Sequence, residues 1–138
     1  MPLRNDPLNQ LQCGDERIDS GREPTQLGWY DFASRLVRGL SVVDVGCGMG
    51  DGLALLQRTA SAGHGIELDE RLERRSVLIR PIEDVESRSF DAVVCIDVIE
   101  HVRDDRAFLR ELLRVARRFA LISTPNWTVK RCTHPYHI

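Results

Sequence analysis

Apolar residues along the chain form short continuous runs, typical of buried strands, that alternate with helically spaced ones. Residues 1–22 are polar and interrupted by proline and glycine, which predicts a flexible N-terminal arm before a single domain over residues 23–138. The predicted helices are Glu23–Gly39, Asp51–Ala60 and Asp105–Arg118, and the predicted strands are Ser41–Val45, His64–Leu68, Val77–Ile79, Phe90–Val98 and Phe119–Ser123.

This alternation of strands and helices predicts an α/β fold with a parallel sheet and right-handed crossovers. Gly63 is expected to close the second helix as a left-handed C-cap. The last helix is predicted to be amphipathic. Its solvated face is expected to carry Arg106, Arg110, Arg114 and Arg117, and its buried face Phe108, Leu109, Leu112, Leu113 and Ala116.

Composition restricts the range of partners. The 138 residues include 19 Lys and Arg against 21 Asp and Glu, and the net charge of -2 provides no general attraction to nucleic acid or to anionic membranes. Four scattered cysteines form no C-x-x-C pair, so the sequence predicts neither a zinc site nor a disulfide framework. No apolar run has the length of a signal peptide or a membrane span, and we expect a cytoplasmic protein.

A glycine-rich turn follows the first predicted strand, with the pattern Asp44-x-Gly46-x-Gly48-x-Gly50. Such a turn brings backbone amides against a cofactor in α/β sheets. The dinucleotide fingerprint G-x-G-x-x-G is not met, because its last position falls on Asp51 or Leu53. The pattern instead resembles motif I of the class I S-adenosylmethionine (SAM) methyltransferases.

Three later segments extend this resemblance, in the order that the family shows. Phe90–Val102 is similar to the fourth-strand motif F-D-x-V…L-E-H-V, Ser123–Asn126 reads S-T-P-N, and His134–Ile138 begins with H-P-Y-H. The resemblance implies a Rossmann-like three-layer α/β/α fold with a mainly parallel sheet that lacks the usual last strands.

The cofactor expected from this resemblance is SAM. Glu67 lies about 20 residues beyond the first glycine, where a strand-end carboxylate accepts the ribose hydroxyls. Pro81 stands where the family usually has an adenine-contacting Asp, so Glu83 or Asp84 is expected to substitute and the Ile82 backbone to meet the ring edge. The expected cofactor contacts are Asp44, Gly46, Cys47, Gly48, Gly50, Glu67, Leu68, Ile82, Glu83 and Asp97.

The fourth-strand motif also supplies the catalytic candidates. His101 is the expected general base and Asp97 the second choice. In two subsets of the family an E-x-x-E-H cluster binds a divalent metal, so Asp97, Glu100, His101 and His137 are alternative ligands for Mg²⁺ or Mn²⁺. The interpretation we favour is that Glu100 caps the following helix and His101 lines the pocket.

The implied function is methyl transfer from SAM to an oxygen or nitrogen of a small metabolite or saccharide, without nucleic acid or membrane partners. A SAM-binding or interaction module without turnover is the alternative, and an NAD-dependent oxidoreductase is permitted by the fold alone. Only fifteen residues follow Ser123, which predicts a fragment or a reduced form. We therefore expect one uncovered sheet face and self-association through the unpaired edge of the fifth strand.

Overall fold

The computed structural model describes residues 21–126, which form one five-stranded sheet with helices on both faces. The predicted N-terminal arm, apart from its last two residues, and the H-P-Y-H segment lie outside this range. The main elements are α1 (Pro24–Leu36), β1 (Ser41–Val45), α2 (Asp51–Gln57), β2 (Ala62–Glu67), β3 (Val77–Ile79), β4 (Phe90–Ile96), α3 (Asp105–Val115) and β5 (Ala116–Ser123). Single 3₁₀ turns cover Glu70–Leu72, Ile82–Asp84 and Ile99–His101.

The strand order is β3-β2-β1-β4-β5, and every neighbouring pair is parallel. The chain builds outward from β1 through β2 to β3, then returns to place β4 on the other side of β1. The carboxyl ends of β1 and β4 therefore flank the switch point of the sheet, where α/β proteins bind their ligands. The predicted parallel α/β architecture is confirmed.

The core lies on both faces of the central strands, because neighbouring residues in each strand point to opposite sides. On one side Val42, Val94 and Ile96 pack with Tyr30 of α1 and Leu56 of α2. The opposite side holds Val43, Val93 and Cys95 against Phe108, Leu112 and Val115 of α3. Helices thus cover both faces of the central strands, and the expectation of one uncovered face is wrong there.

The amino end of α1 is defined by a reciprocal cap. Glu23 and Gln26 form a capping box, with the Glu23 amide donating to Gln26 Oε1 at 3.0 Å, and Pro24 occupies the first turn. The helix ends at Leu36, three residues before the predicted stop at Gly39, which adopts a φ of +72° in the following turn. The capping box at Glu23 and Gln26 fixes the position of the residues just before α1.

The boundary between α3 and β5 differs from the prediction. Ala116 already pairs with Phe90 in the sheet, so α3 ends at Val115 and the strand begins three residues early. Arg117 consequently lies in β5, with its Nη1 3.6 Å from Asp91 Oδ1, rather than on a helix face. Leu109 and Leu113 are exposed, because the buried stripe of the helix is Phe108, Leu112 and Val115.

The end of α2 also requires a correction. The helix stops at Gln57, and Gly63 lies inside β2, paired with Val42, rather than at a helix cap. A Cβ at Gly63 would approach Gln57 Cγ to 2.8 Å. The glycine is therefore required by close packing of the helix end on the strand and not by a left-handed backbone.

Within residues 21–126, β5 has a hydrogen-bonded neighbour only on its β4 side. Its residues Phe119–Ile122 are half-buried. An apolar stripe on α1 is solvent-exposed: Trp29 is 51% exposed, Phe32 45% and Leu36 45%. In the same range, no helix combines the length and the apolar character needed to cross a membrane.

Unpaired strand edges next to apolar surface recruit other strands, so we expect the chain to self-associate in a concentration-dependent way. Sedimentation velocity over a range of protein concentrations measures this. Phe32→Lys places a charge on the exposed α1 stripe without touching the core, and we expect it to shift the distribution toward monomer. A wild-type chain that sediments as a monomer at every concentration would contradict the expectation.

Candidate cofactor site

A cleft opens where β1 and β2 end and the loop after β3 begins. Gly46, Glu67 and Arg80 form its polar part. The remaining wall is largely apolar and comes from several elements, among them Leu68, Ile82, Val98, Val102 and Phe108. Four of the predicted cofactor contacts, Gly46, Glu67, Leu68 and Ile82, therefore meet at one cleft.

The glycine-rich turn needs its glycines for two different reasons. Gly46, Gly48 and Gly50 have φ values of +75°, +55° and +89°, which residues with a Cβ rarely adopt. Gly46 is also pressed against Val98, since a Cβ at this position would lie 2.5 Å from Val98 Cγ2. Any side chain at Gly46 would thus push Val98 away from the turn and deform the cleft.

Glu67 holds the turn against the end of β2. Its Oε2 accepts from the Gly48 amide at 3.0 Å, and its Oε1 accepts from the Leu68 amide at 2.8 Å and more weakly from Asp69 at 3.4 Å. The side chain is buried, with 9% of its surface exposed. A buried carboxylate supported by backbone amides is rigid, and it presents negative charge to the cleft.

Asp44 lies beneath the turn and is fully buried. Its Oδ1 accepts from the Tyr30 hydroxyl at 3.0 Å, whereas Oδ2 is buried without a hydrogen-bond partner. Burial raises the pKa of Asp44 to about 7, although the nearby Arg22 guanidinium and the Tyr30 hydroxyl act in the opposite direction. The predicted cofactor contact Asp44 is thus a support for the site, and it lies outside the cleft lining.

Cys47 occupies the interior of the turn. Its side chain is fully buried, and its Sγ would lie 2.5 Å from a Cβ placed on Gly65. Burial raises the pKa of the Cys47 thiol to about 12, so the group stays neutral. Any contact of Cys47 with a cofactor would therefore come from its backbone.

Arg22, which the sequence prediction assigned to the arm, lies beside the glycine-rich turn. Its guanidinium lies 5.8 Å from the centre of the Tyr30 ring and donates from Nη2 to the Gly46 carbonyl. Its backbone amide donates to Asp51 Oδ2 at 3.3 Å. Arg22 Nε is buried and has no hydrogen-bond partner, so the guanidinium has an unused donor beside the turn.

Asp97 directly follows β4 and has a φ of +53°, a conformation that Asp tolerates better than most residues. Its Oδ2 accepts from Gln26 Nε2 at 3.2 Å, and its Oδ1 accepts from the Ser123 hydroxyl at 2.9 Å. The side chain therefore ties the start of α1 and the end of β5 to the switch point. Both oxygens are engaged in these bonds.

Glu100 and His101 lie on the 3₁₀ turn after β4, with Glu100 Oε1 4.0 Å from His101 Nε2. Burial raises the pKa of Glu100 to about 7, and the charge of Asp97 adds to this. The expected helix cap by Glu100 is wrong, because Asp104 caps α3 by accepting from the Ala107 amide at 2.9 Å.

The residues offered as metal ligands do not converge. No group of three His, Cys, Asp or Glu side chains within residues 21–126 has an arrangement that could hold a metal ion. Asp97 directs its oxygens at Gln26 and Ser123, and His137 lies outside the described residues. The donor set of the described chain thus does not fit Mg²⁺ or Mn²⁺.

At the other end of the cleft, Ile82 is the part of the expected adenine site that meets the cleft directly. Its side chain is buried, and it lines the apolar wall. Glu83 and Asp84 belong to the same 3₁₀ turn but lie outside the cleft lining. The backbone of this turn is consequently better placed to meet a ring than either carboxylate.

A family assignment agrees with this geometry. Residues 22–134 match a known family of methyltransferase domains. The chain belongs to this family. The match begins at Arg22, a residue that the sequence prediction left in the arm.

Relatives of this methyltransferase domain are about twice as long as the chain. It is 27% identical over 120 residues to the ubiquinone biosynthesis O-methyltransferase of Bordetella parapertussis, covering 75% of this chain and 50% of the relative. The enzyme of the same name from Neisseria meningitidis is 28% identical over 130 residues, and the match covers 80% of this chain and 54% of the relative. The chain therefore spans about half the length of the curated relatives it matches.

A solved structure supports the fold. The domain superposes on the magnesium protoporphyrin IX methyltransferase of Synechocystis, determined with bound SAM, with a TM-score of 0.58 and 21% identity. The match covers 75% of this chain and 57% of that chain. At this identity the likeness confirms the Rossmann-like methyltransferase fold and leaves the reaction to be argued from the site.

Asp44 also generates a pH dependence of stability. Because its folded pKa of about 7 lies above the ordinary 3.8, the folded state keeps a proton that the unfolded state releases between about pH 4 and pH 7. The free energy of unfolding should therefore fall as pH rises through this window. Between pH 5 and 8 the loss assigned to Asp44 is roughly 2 to 3 kcal/mol, and Glu100 acts with the same sign.

Urea unfolding at pH 5 and pH 8 measures this loss. Asp44→Asn should flatten the pH dependence, leaving the part due to Glu100. Asp91→Asn is the matched control, since hydrogen bonds from Ser41 lower the pKa of Asp91 and its titration lies below the window. A pH dependence in Asp44→Asn equal to that of the wild type would refute the assignment.

Proposed function

We propose that this domain binds SAM and transfers its methyl group to an oxygen or nitrogen of a small molecule, either a metabolite or a saccharide. The observation that carries the proposal is the cleft itself: a turn in which a Cβ cannot be accommodated at Gly46, next to a buried Glu67 at the end of the neighbouring strand. This arrangement suits a nucleoside that carries a short charged tail and no pyrophosphate.

The methionine tail of SAM fits the polar end of the cleft. Arg22 carries the buried and unpartnered Nε beside Gly46, and a guanidinium pairs with a carboxylate through two parallel hydrogen bonds. We assign the tail carboxylate to Arg22 and the turn Gly46–Gly50. Asp97 remains a candidate for the tail through its position at the end of β4.

The nucleoside fits the rest of the cleft. Glu67 would accept the ribose hydroxyls, as its position at the end of β2 favours. The apolar wall that includes Leu68, Ile82 and Val98 provides a surface of the kind on which a purine ring packs. The three parts of the cofactor would then lie in a row from Arg22 to Ile82.

Catalysis would come mainly from alignment, because the sulfonium of SAM is already a good leaving group. His101 is the residue we assign as general base, with Glu100 Oε1 4.0 Å from its Nε2. Asp97 is a weaker choice, since both of its oxygens already accept hydrogen bonds, from Gln26 and Ser123. A small-molecule acceptor agrees with the names of the relatives and with the net charge of -2.

Calorimetric titration with SAM, S-adenosylhomocysteine and NAD tests the proposal. We expect both SAM species to bind and NAD to give no heat, because the turn lacks the pyrophosphate fingerprint. Tight NAD binding, or folded protein that responds to neither SAM species, would overturn the proposal. A methyl-transfer assay on small acceptors then distinguishes an enzyme from a domain that only binds the cofactor.

The assignment of each end of the cofactor is tested with two ligands that differ only in the tail. Arg22→Met should weaken S-adenosylhomocysteine by about 1.5 to 3 kcal/mol and leave 5′-methylthioadenosine, which lacks the carboxylate, nearly unchanged. Glu67→Ala should weaken both ligands by a similar amount, because both carry the ribose.

The exposed Arg38 provides the matched control, and Arg38→Met should bind both ligands like the wild type. An equal loss of both ligands in Arg22→Met would mean that Arg22 supports the fold and does not hold the tail. Unchanged binding in Glu67→Ala would leave Glu67 as a support of the turn.

A further inference from the structure

Arg114 on α3 reaches across to the loop that joins β3 and β4. Its Nη2 donates to the Ile82 carbonyl at 3.1 Å, and its Nη1 to the Ser87 hydroxyl at 3.0 Å. Its Nε donates to Glu111 Oε2 at 2.8 Å, which orients the guanidinium from one turn earlier in the helix. The side chain was expected on the solvated face of the helix, but it is only 29% exposed.

The same loop is held at two further places. Ile82 and Val85 are buried in the core on the α3 side of the sheet. Arg88, with a φ of +54°, donates its amide to the Arg114 carbonyl at 2.8 Å. Both the backbone and the side chain of Arg114 therefore bind the loop, and the loop contains only a single 3₁₀ turn of its own.

The contact with Ile82 bears on the cleft. The Ile82 carbonyl also accepts from the Val85 amide at 3.0 Å, so two donors hold it in place. Because the peptide group is planar and trans, fixing this carbonyl also fixes the direction of the Glu83 N–H on the opposite side. Arg114 thus sets the orientation of the backbone at the edge of the apolar wall.

We infer that Arg114 is a positioning residue for recognition of the purine base, acting through the backbone at Ile82 and Glu83. The inference rests on the proposed function, since it requires the base to lie against this loop. A planar guanidinium can hold the Ile82 carbonyl, Ser87 and Glu111 at once, whereas a lysine ammonium lacks this fork geometry.

The preference for adenine over hypoxanthine is a readout that would not change if Arg114 only stabilised the fold. Adenine presents a hydrogen-bond acceptor at N1, whereas hypoxanthine carries a proton there. A backbone N–H held in one direction donates to N1 of adenine and opposes the N1–H of hypoxanthine. The wild-type chain should therefore prefer S-adenosylhomocysteine over S-inosylhomocysteine by about tenfold, in keeping with one hydrogen bond.

The test measures the dissociation constants of both ligands for the full chain and for Arg114→Lys and Arg114→Met. We expect each variant to bind S-adenosylhomocysteine about tenfold more weakly and to lose most of its preference for the adenine base. Arg110→Met, an exposed arginine one turn earlier on the same helix, should keep both affinities. Glu111→Gln keeps the Arg114 guanidinium but weakens the contact that orients it, so we expect an intermediate preference for the adenine base. This variant tests the inference even if the Arg114 variants do not fold.

Arg114 variants that bind both ligands more weakly by the same factor would overturn the inference while leaving SAM binding intact. A preference that is unchanged in Glu111→Gln as well as in Arg114→Lys would do the same. Wild-type protein that binds neither ligand would instead overturn the proposed function, and the inference with it.

Discussion

The buried hydrogen bond between Tyr30 and Asp44 joins the three elements that the rest of the domain is built around. The hydroxyl belongs to α1 and the carboxyl to β1, and α2 packs on the Tyr30 ring so closely that a Cβ at Gly52 would lie 2.3 Å from it. Removal of the hydroxyl would leave the fully buried Asp44 carboxyl without this donor, at a cost of about 1 to 3 kcal/mol. The hydrogen bond between Tyr30 and Asp44 thus fixes α1 against β1, and with it the position of Arg22 just before the helix.

The sequence predicted the parts of this structure that depend on local patterns. The bounds of β1 and β3 were right because short β-branched runs enclosed by polar residues have few alternatives. Gly39 does adopt the left-handed backbone that favours glycine, but α1 ends three residues earlier than predicted, at Leu36. The end of α3 could not be predicted from a local pattern, because it is set by the pairing of Ala116 with Phe90, which is distant in sequence.

In the candidate site, too, the residues set by local patterns were predictable and those set by tertiary contacts were not. The glycines of the turn and Glu67 were predictable, since a strand, a turn and the next strand bring them together within a short stretch of chain. Arg22 and Gln26 were not, because their roles depend on the path of α1 across the sheet. Asp97 shows the limit most clearly: its motif predicts a catalytic or metal-binding acid, yet its oxygens accept from residues on α1 and β5 that are distant in sequence.

The connection between β3 and β4 shows how a short loop can present a rigid surface. A long helix would stabilise such a crossover by its own backbone hydrogen bonds, but residues 80–89 contain only one 3₁₀ turn. Their order must then come from tertiary contacts, which here are the burial of Ile82 and Val85 and the fork of Arg114. Because these contacts originate on α3, the packing of α3 against the sheet and the shape of the cleft wall are physically linked. A change that displaces α3 should reach the cleft through this loop before it disturbs the glycine-rich turn, which is held from the other side by Glu67 and Arg22.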